Sequence, residues 1–331
     1  MIIAISLCPH LWKITCPSTH SISTPEQIMG ILQDIREAWK KRRCMRERAP
    51  TFTRFTHTLP EFPLPQSTPL GPDVPHVAIL TPCKNASGML DQYFALLDGL
   101  DYPKDRIHLH LLEGDSTDDT FTRAQDALRQ RQDVYGSVDL QKLDLGHEFG
   151  ARADRARLSI QRQRRAGIAT CRNHLLKSYL DTPAEFALFI DVDLMDIPAD
   201  ALRRCLSFNA PVMMANCLVP DGSRSFGLNA FLYTRPVSDL CAEYYVSDDI
   251  YQPPMGFFRH YPAPDSPHEI EPLHSVGGTF LLVRRDVVEA GAIFPEEPYQ
   301  LHIETEGFAL MASDLGFGSF MLPQLHVRHG H

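Results

Sequence analysis

Apolar and polar positions recur along this chain with a helical period in some stretches and a strand period in others. Ile28, Ile31, Leu32, Ile35 and Trp39 repeat at helical spacing. Thr24 as N-cap, Pro25 at the first helical position and Gln27 closing a capping box mark the start of that helix. It runs into Lys40, Lys41, Arg42, Arg43, Arg46 and Arg48. Cations there complement a helix C-terminus and face water, with an acidic membrane surface or partner as the alternative role. Residues 49–75 then hold seven prolines and few aliphatics in register. They read as an extended linker or wrapping arm, with a domain boundary near His76.

From His76 onward strands and helices alternate. The pattern predicts strands at Val77–Thr81, Ile107–Leu112, Val138–Leu145, Phe186–Ile190 and Val212–Leu218. It predicts helices at Leu90–Leu100, Thr117–Gln132 and Gly167–Leu180, and one beginning at Pro198. Such alternation implies an α/β domain over 76–331, a mainly parallel sheet covered by helices on both faces. Residues 221–272 are less periodic and rich in aromatics, Pro and Asp, which suits a loop-rich, substrate-facing insertion.

Composition narrows the classes. The chain has 331 residues, 44% of them hydrophobic, and a formal charge of −9. It is long enough for a substantial core and too apolar for disorder. The acidic balance argues against nucleic-acid binding held by phosphate contacts. Eight cysteines form no CxxC pair and read as reduced core thiols. No stretch reaches the roughly 18–20 apolar residues of a membrane helix. The apolar start, Met1 to Cys8, stops at Pro9 and has no basic flank of a signal peptide.

In open α/β sheets ligands bind outside the carboxyl ends of the strands. Three polar clusters fall there: Thr81-Pro82-Cys83-Lys84-Asn85, Glu113-Gly114-Asp115-Ser116-Thr117-Asp118-Asp119, and Asp191-Val192-Asp193. The last is the strongest, because a fully apolar strand delivers two carboxylates with one residue between them. Hard cations such as Mg²⁺ and Mn²⁺ prefer such oxygen ligands, with substrate phosphates completing the shell. The chain contains no GxGxxG, no GxxxxGK[ST] and no GxSxG. A phosphohydrolase with Asp191 as nucleophile is a second reading of the same motif.

Together these motifs carry a resemblance. Residues 76–329 resemble the fungal mannan-polymerase family of α-mannosyltransferases (glycosyltransferase family 62). The matching stretches are Ile79-Leu-Thr-Pro82, Leu100-Asp-Tyr-Pro103, Gly114-Asp-Ser-Thr-Asp-Asp-Thr120, Arg172-Asn173, Asp191-Val-Asp193, Ser275-Val-Gly-Gly-Thr279, Ile303-Glu-Thr-Glu-Gly-Phe308 and Leu322-Pro323. The resemblance implies a glycosyltransferase-A fold, GDP-mannose as donor, Mn²⁺ (or Mg²⁺) held by the DxD, and retention of anomeric configuration. Asp191 would contact the donor ribose or the metal, and Asp193 the metal. A C-terminal His would complete the shell; the family pattern lands on His329, with His326 and His331 as competitors.

By the same resemblance Thr81, Pro82 and Lys84 would line the nucleotide pocket and Asp115 would bind the base. Arg172, with Arg165 second, would neutralise the diphosphate. The Gly277-Gly278-Thr279 backbone would pass close to the sugar. Of Glu304 and Glu306, Glu304 is the better candidate for a substrate-binding acid. Asp118 and Asp119 read as first-turn acids on a helix dipole, and Arg152, Arg155, Arg157, Arg162 and Arg164 as a solvated basic face or lid. The acceptor would be a hydroxyl of a glycan, lipid or small molecule.

The family's fungal members carry a Golgi anchor. This chain as it stands reads as soluble and cytoplasmic, with the Golgi lumen as its place if a native anchor precedes it. The sequon Asn85-Ala-Ser87 falls in the expected nucleotide loop, where a glycan would block the donor. A partner-dependent subunit of a glycosyltransferase complex, homo- or hetero-oligomeric, is the remaining alternative.

Overall fold

A computed structural model describes residues 61–146, 158–234, 246–247, 250–253, 256 and 258–330. The expected helix after Thr24, the Pro-rich arm before Glu61, the basic stretch from Arg152 to Arg157 and His331 lie outside the described residues.

The first half of the domain follows the predicted alternation. Strand β1 is Val77–Cys83, helix α1 Leu90–Asp98, β2 Ile107–Glu113, α2 Thr120–Arg129 and β3 Ser137–Lys142. Helix α3 spans Leu158–Leu180 and β4 Phe186–Ile190. Then come β5 (Leu194–Asp196), α4 (Ala201–Ser207) and β6 (Val212–Leu218). The insertion holds β7 (Leu232–Tyr233), β8 (Val246–Ser247), β9 (Ile250–Tyr251) and β10 (Arg259–His260). The chain returns to the sheet through β11 (Glu271–Leu273), β12 (Phe280–Arg284), α5 (Arg285–Glu289), α6 (Glu304–Asp314) and β13 (Ser319–His329).

Nine strands form one sheet in the order β11-β13-β6-β12-β4-β1-β2-β3, with β5 pairing β13. β1 is parallel to both β2 and β4, and β13 is parallel to β6. β12 runs antiparallel between β4 and β6, and β11 and β5 pair antiparallel with β13. The sheet is therefore mixed rather than mainly parallel. The antiparallel strands all come from segments that the periodicity did not mark as strands.

Period-2 alternation splits the strand side chains between two apolar layers. Ile79, Leu109, Leu188, Met213 and Leu282 pack with α1, α2 and α4 on one face. Leu80, Phe189, Met214, Leu281 and Met321 pack with α3, α5 and α6 on the other. Residues 61–75 carry no strand or helix, as expected of an arm, and they lie against the first layer. Phe62 packs onto that core, Thr68 N–H donates to the Ser207 carbonyl, and Tyr102 Oη donates to the Pro75 carbonyl. Gly318 makes room for Phe62, since a Cβ there would meet its ring at 2.8 Å. No helix among the described residues is long and apolar enough to cross a membrane.

Three histidines are held neutral by burial. His108 is pushed down to about 4, with His76 and His110 adding to the effect; His274 falls to about 4 and His302 to about 3. A histidine depressed on folding stabilises the fold above its unfolded pKa of about 6.5, and that stability is lost as pH falls toward its folded pKa. Asp191 and Glu306, raised to about 6 and about 7, act with the opposite sign over the same range and are outnumbered. The melting temperature is therefore expected to fall between pH 6.5 and pH 5. His108→Gln should flatten that slope, and an unchanged slope would show that the imidazole is not kept neutral.

Candidate metal and nucleotide site

Strand β4 is buried along its whole length and delivers Asp191 and Asp193 at its carboxyl end. The turn is fixed from two sides. Asp191 N–H donates to the Thr279 carbonyl (3.1 Å), and Gly330 N–H donates to the Asp193 carbonyl (2.9 Å). Strand β5 then pairs with β13, setting Leu194 opposite His329. Sheet hydrogen bonds thus bring a C-terminal histidine to a mid-chain pair of carboxylates.

Asp191, Asp193 and His329 each offer one ligand atom, and these atoms lie within 4.8 Å of one another. His329 Nε2 is 3.2 Å from Asp193 Oδ1, and the His329 ring stacks on Phe226. Two carboxylates and an imidazole on neighbouring segments are a donor set that suits Mn²⁺ or Mg²⁺. The competing histidine is directed elsewhere: His326 Nε2 lies 3.0 Å from the Pro264 carbonyl.

Beneath the carboxylates sits Arg172, 5% exposed. Its Nη2 is 3.6 Å from Asp191 Oδ1, and its guanidinium lies 5.5 Å from the Phe189 ring and 5.2 Å from the Phe294 ring. Nε and Nη1 have no hydrogen-bond partner among the described residues. Burial pushes the Asp191 carboxyl up to about 6; Arg172 opposes that shift and Asp193 adds to it. At Gly278 the backbone passes close to another residue of the chain. A Cβ on Gly278 would fall on the Arg172 guanidinium.

Arg165 lies two helical turns before Arg172, on the same side of α3. It pairs with Glu304 at 3.1 Å, and Glu304 is 1% exposed at the start of α6. Glu306 is served by a residue that sequence reasoning did not single out. Arg259 Nη1 is 3.7 Å from Glu306 Oε1, and the Arg259 guanidinium lies 3.9 Å from the Phe231 ring. Arg259 comes from the insertion and has no periodic neighbours, so nothing local marks it.

At the ends of β1 and β2 the expected pocket residues fall into different environments. Thr81 is fully buried, and its hydroxyl bonds to Tyr93 Oη (2.6 Å) and donates to the Ile190 carbonyl (2.9 Å). Its side chain is sealed in the sheet, which leaves it no surface for a nucleotide. Pro82 is partly buried and Lys84 is exposed. Lys84 Nζ lies 3.8 Å from Asp115 Oδ2, so these two candidates form one ion pair. Asp115 has φ of 55°, a left-handed conformation that Asp tolerates better than most residues, and its Oδ1 accepts from Gly146 N–H.

Asp118 and Asp119 both precede α2 instead of lying in its first turn. Asp118 Oδ1 accepts from Thr120 N–H at 3.1 Å, so it caps the helix from outside. Asn85 of the sequon, at φ of 50°, accepts from Thr117 N–H at 2.8 Å and ties the two loops together.

Helices on both faces of the sheet and the Asp-x-Asp at the carboxyl end of β4 are the glycosyltransferase-A arrangement expected from the resemblance, while the antiparallel β12 beside β4 departs from the mainly parallel sheet expected with it. Comparison with known proteins gives the relationship. The mannan polymerase complex subunit mnn9 of Schizosaccharomyces pombe is 30% identical over 273 residues, covering 76% of this chain and 79% of that protein. The mannan polymerase II complex anp1 subunit of the same organism is 26% identical, covering 76% of this chain and 63% of its own length. Among solved structures, the mannosyltransferase PcManGT of Pyrobaculum calidifontis, in complex with GDP-Man and Mn²⁺, aligns with a TM-score of 0.47 and 13% identity. That alignment covers 80% of this chain and 60% of that one. Residues 69–298 match the Anp1 family, and the chain belongs to it.

Proposed function

We propose that this chain is a metal-dependent, retaining glycosyltransferase that moves mannose from GDP-mannose to a hydroxyl acceptor. The observation that carries the reading is the Asp191, Asp193 and His329 cluster at the carboxyl end of β4. Membership of the Anp1 family supports glycosyl transfer, and its mannan polymerase relatives support mannose. It also displaces the phosphohydrolase reading.

Asp191, Asp193 and His329 would hold the cation, Mn²⁺ or Mg²⁺. When bound, it would offset charge gathering on the leaving diphosphate. The chain's own groups account for the rest. Arg172 keeps a permanent positive charge under Asp191 and favours its ionised form, which is the form that ligates. Lys84 and Asp115 stand at the ends of β1 and β2, where a nucleotide would approach. Glu304 is buried at the start of α6 and paired with Arg165, so it would act on the sugar by holding that guanidinium and not by direct contact. Departure of the diphosphate and arrival of the acceptor on the same face would give retention.

Calorimetry with GDP, UDP, GDP-mannose and UDP-glucose, each with and without Mn²⁺, tests the reading. GDP and GDP-mannose are expected to bind only with Mn²⁺, and Asp193→Ala should abolish that binding. A preference for UDP would overturn the donor. A second reading, a subunit active only with a partner, is favoured by relatives named as complex subunits. It predicts nucleotide binding without turnover until a partner is added.

A further inference from the structure

We infer that Phe226 is a positioning residue for the metal centre, fixing the plane of the His329 imidazole to the one in which Nε2 reaches the two carboxylates. The inference rests on the metal-site reading above.

The two rings lie face to face, with centroids 3.7 Å apart and planes within 12°. Free aromatic pairs prefer offset or edge-to-face arrangements with wider centroid spacing. A close parallel stack is therefore imposed by the chain around it, and that chain is built for it. Beyond β6 the backbone turns at Gly222, φ of 74°, with Asp221 Oδ1 accepting from Ser223 N–H at 3.0 Å. Val219 N–H donates to the Arg224 carbonyl (3.0 Å), and Phe226 N–H donates to the Cys217 carbonyl (2.7 Å). Ser225 Oγ donates to Asn216 Oδ1 at 2.9 Å, and Asn216 Nδ2 donates to the Pro323 carbonyl of β13. The returning segment is thus tied back onto β6 beside the strand that carries His329.

The imidazole needs such a guide. Rotation about the terminal torsion of a histidine is broad, so the backbone alone leaves the ring plane open. The backbone at this point is also irregular, since the β5–β13 register shifts between Arg328 and His329. Sheet pairing places the His329 Cα, and the Phe226 face then selects the ring plane. Groups that orient a metal-ligating histidine affect metal affinity about 10- to 100-fold.

The test uses Mn²⁺ alone, titrated calorimetrically into the full chain. Phe226→Leu keeps bulk against the core and removes the flat face. It is expected to weaken Mn²⁺ binding at least about tenfold, while Phe226→Tyr should restore it. In metal-free protein the His329 Cε1–H proton resonance should lie upfield, under the Phe226 ring current, and move to an ordinary position in Phe226→Leu. Loss of that upfield shift with Mn²⁺ affinity unchanged overturns the inference and leaves the metal site standing. A normal His329 resonance in the unaltered chain also overturns it. Absence of Mn²⁺ binding to the unaltered chain overturns the metal site, and the inference with it.

Discussion

A single methyl group at Gly278 is expected to reduce sugar transfer about a hundredfold. The added Cβ would occupy the space of the Arg172 guanidinium. That guanidinium has nowhere to go, because Phe189 and Phe294 flank it and the side chain is 6% exposed. The Gly278 backbone is not in the left-handed region, so the effect is steric and not conformational. Overpacking of this kind costs about 1–3 kcal/mol, or roughly 2–12 °C of melting temperature in a domain of this size. On the proposed reading the larger effect is on chemistry, since displacing Arg172 would remove the charge that favours ionised Asp191. Gly277→Ala is the control: its Cβ would meet only the flexible Met214 Cε at 3.3 Å and should change little. Thermal melts and Mn²⁺-dependent GDP binding on both variants decide the matter. Near-normal binding in Gly278→Ala would show that Arg172 need not sit where it does.

The second large effect is expected at Arg259. Its guanidinium and the Glu306 carboxylate are 8% and 6% exposed, 3.7 Å apart. The rings of Phe231, Tyr251 and Tyr233 lie 3.9, 5.3 and 5.7 Å from it. Burial pushes Glu306 up to about 7, against the opposing charge of Arg259. Removing one member of a buried pair strands the other and costs about 3–5 kcal/mol. Arg259→Met should therefore be strongly destabilised, and Glu306→Gln also. Arg259→Met should be worse at pH 8 than at pH 6. A carboxyl raised on folding stabilises below its unfolded pKa, and that stability is lost as pH rises through the folded value. The double variant Arg259→Met with Glu306→Leu should recover most of the loss, because replacing a buried ion pair with apolar groups is often neutral. Additive melting losses would mean that the two residues are not coupled.

How far the site could be read from the sequence depended on how local its signals are. β4 and β6 were legible to the residue, since β4 is a closed apolar run between Glu185 and Asp191 and β6 is apolar except for Asn216. α3 begins at Leu158, well before the expected Gly167, because its first turns are rich in Arg and Gln and show no apolar stripe. β12 and β13 were not marked as strands. The end of β13 did carry a signal: Leu325, Val327 and His329 are buried while Gln324 and Arg328 are exposed, which is strand alternation and not a loose tail. Asp191, Asp193 and His329 came from motif order and do converge. Thr81 did not hold its expected place, because a strand-end hydroxyl satisfied inside the sheet looks the same in sequence as one facing a ligand. Arg259 and Phe226 were silent, since each acts on a partner distant in the chain.

The placement of β13 has a consequence for how the protein is made. A chain is synthesised from its N-terminus, so both carboxylates of the DxD exist long before His329. β13 is an inner strand, with β6 on one side and β11 on the other. Until it docks, β6 presents an open edge of the kind that pairs wrongly with other chains. The ligand trio closes only when this last inner strand is in register. On the proposed metal reading, metal binding would report completion of the sheet, and a nascent chain halted before β13 would be both aggregation-prone and unable to assemble the trio.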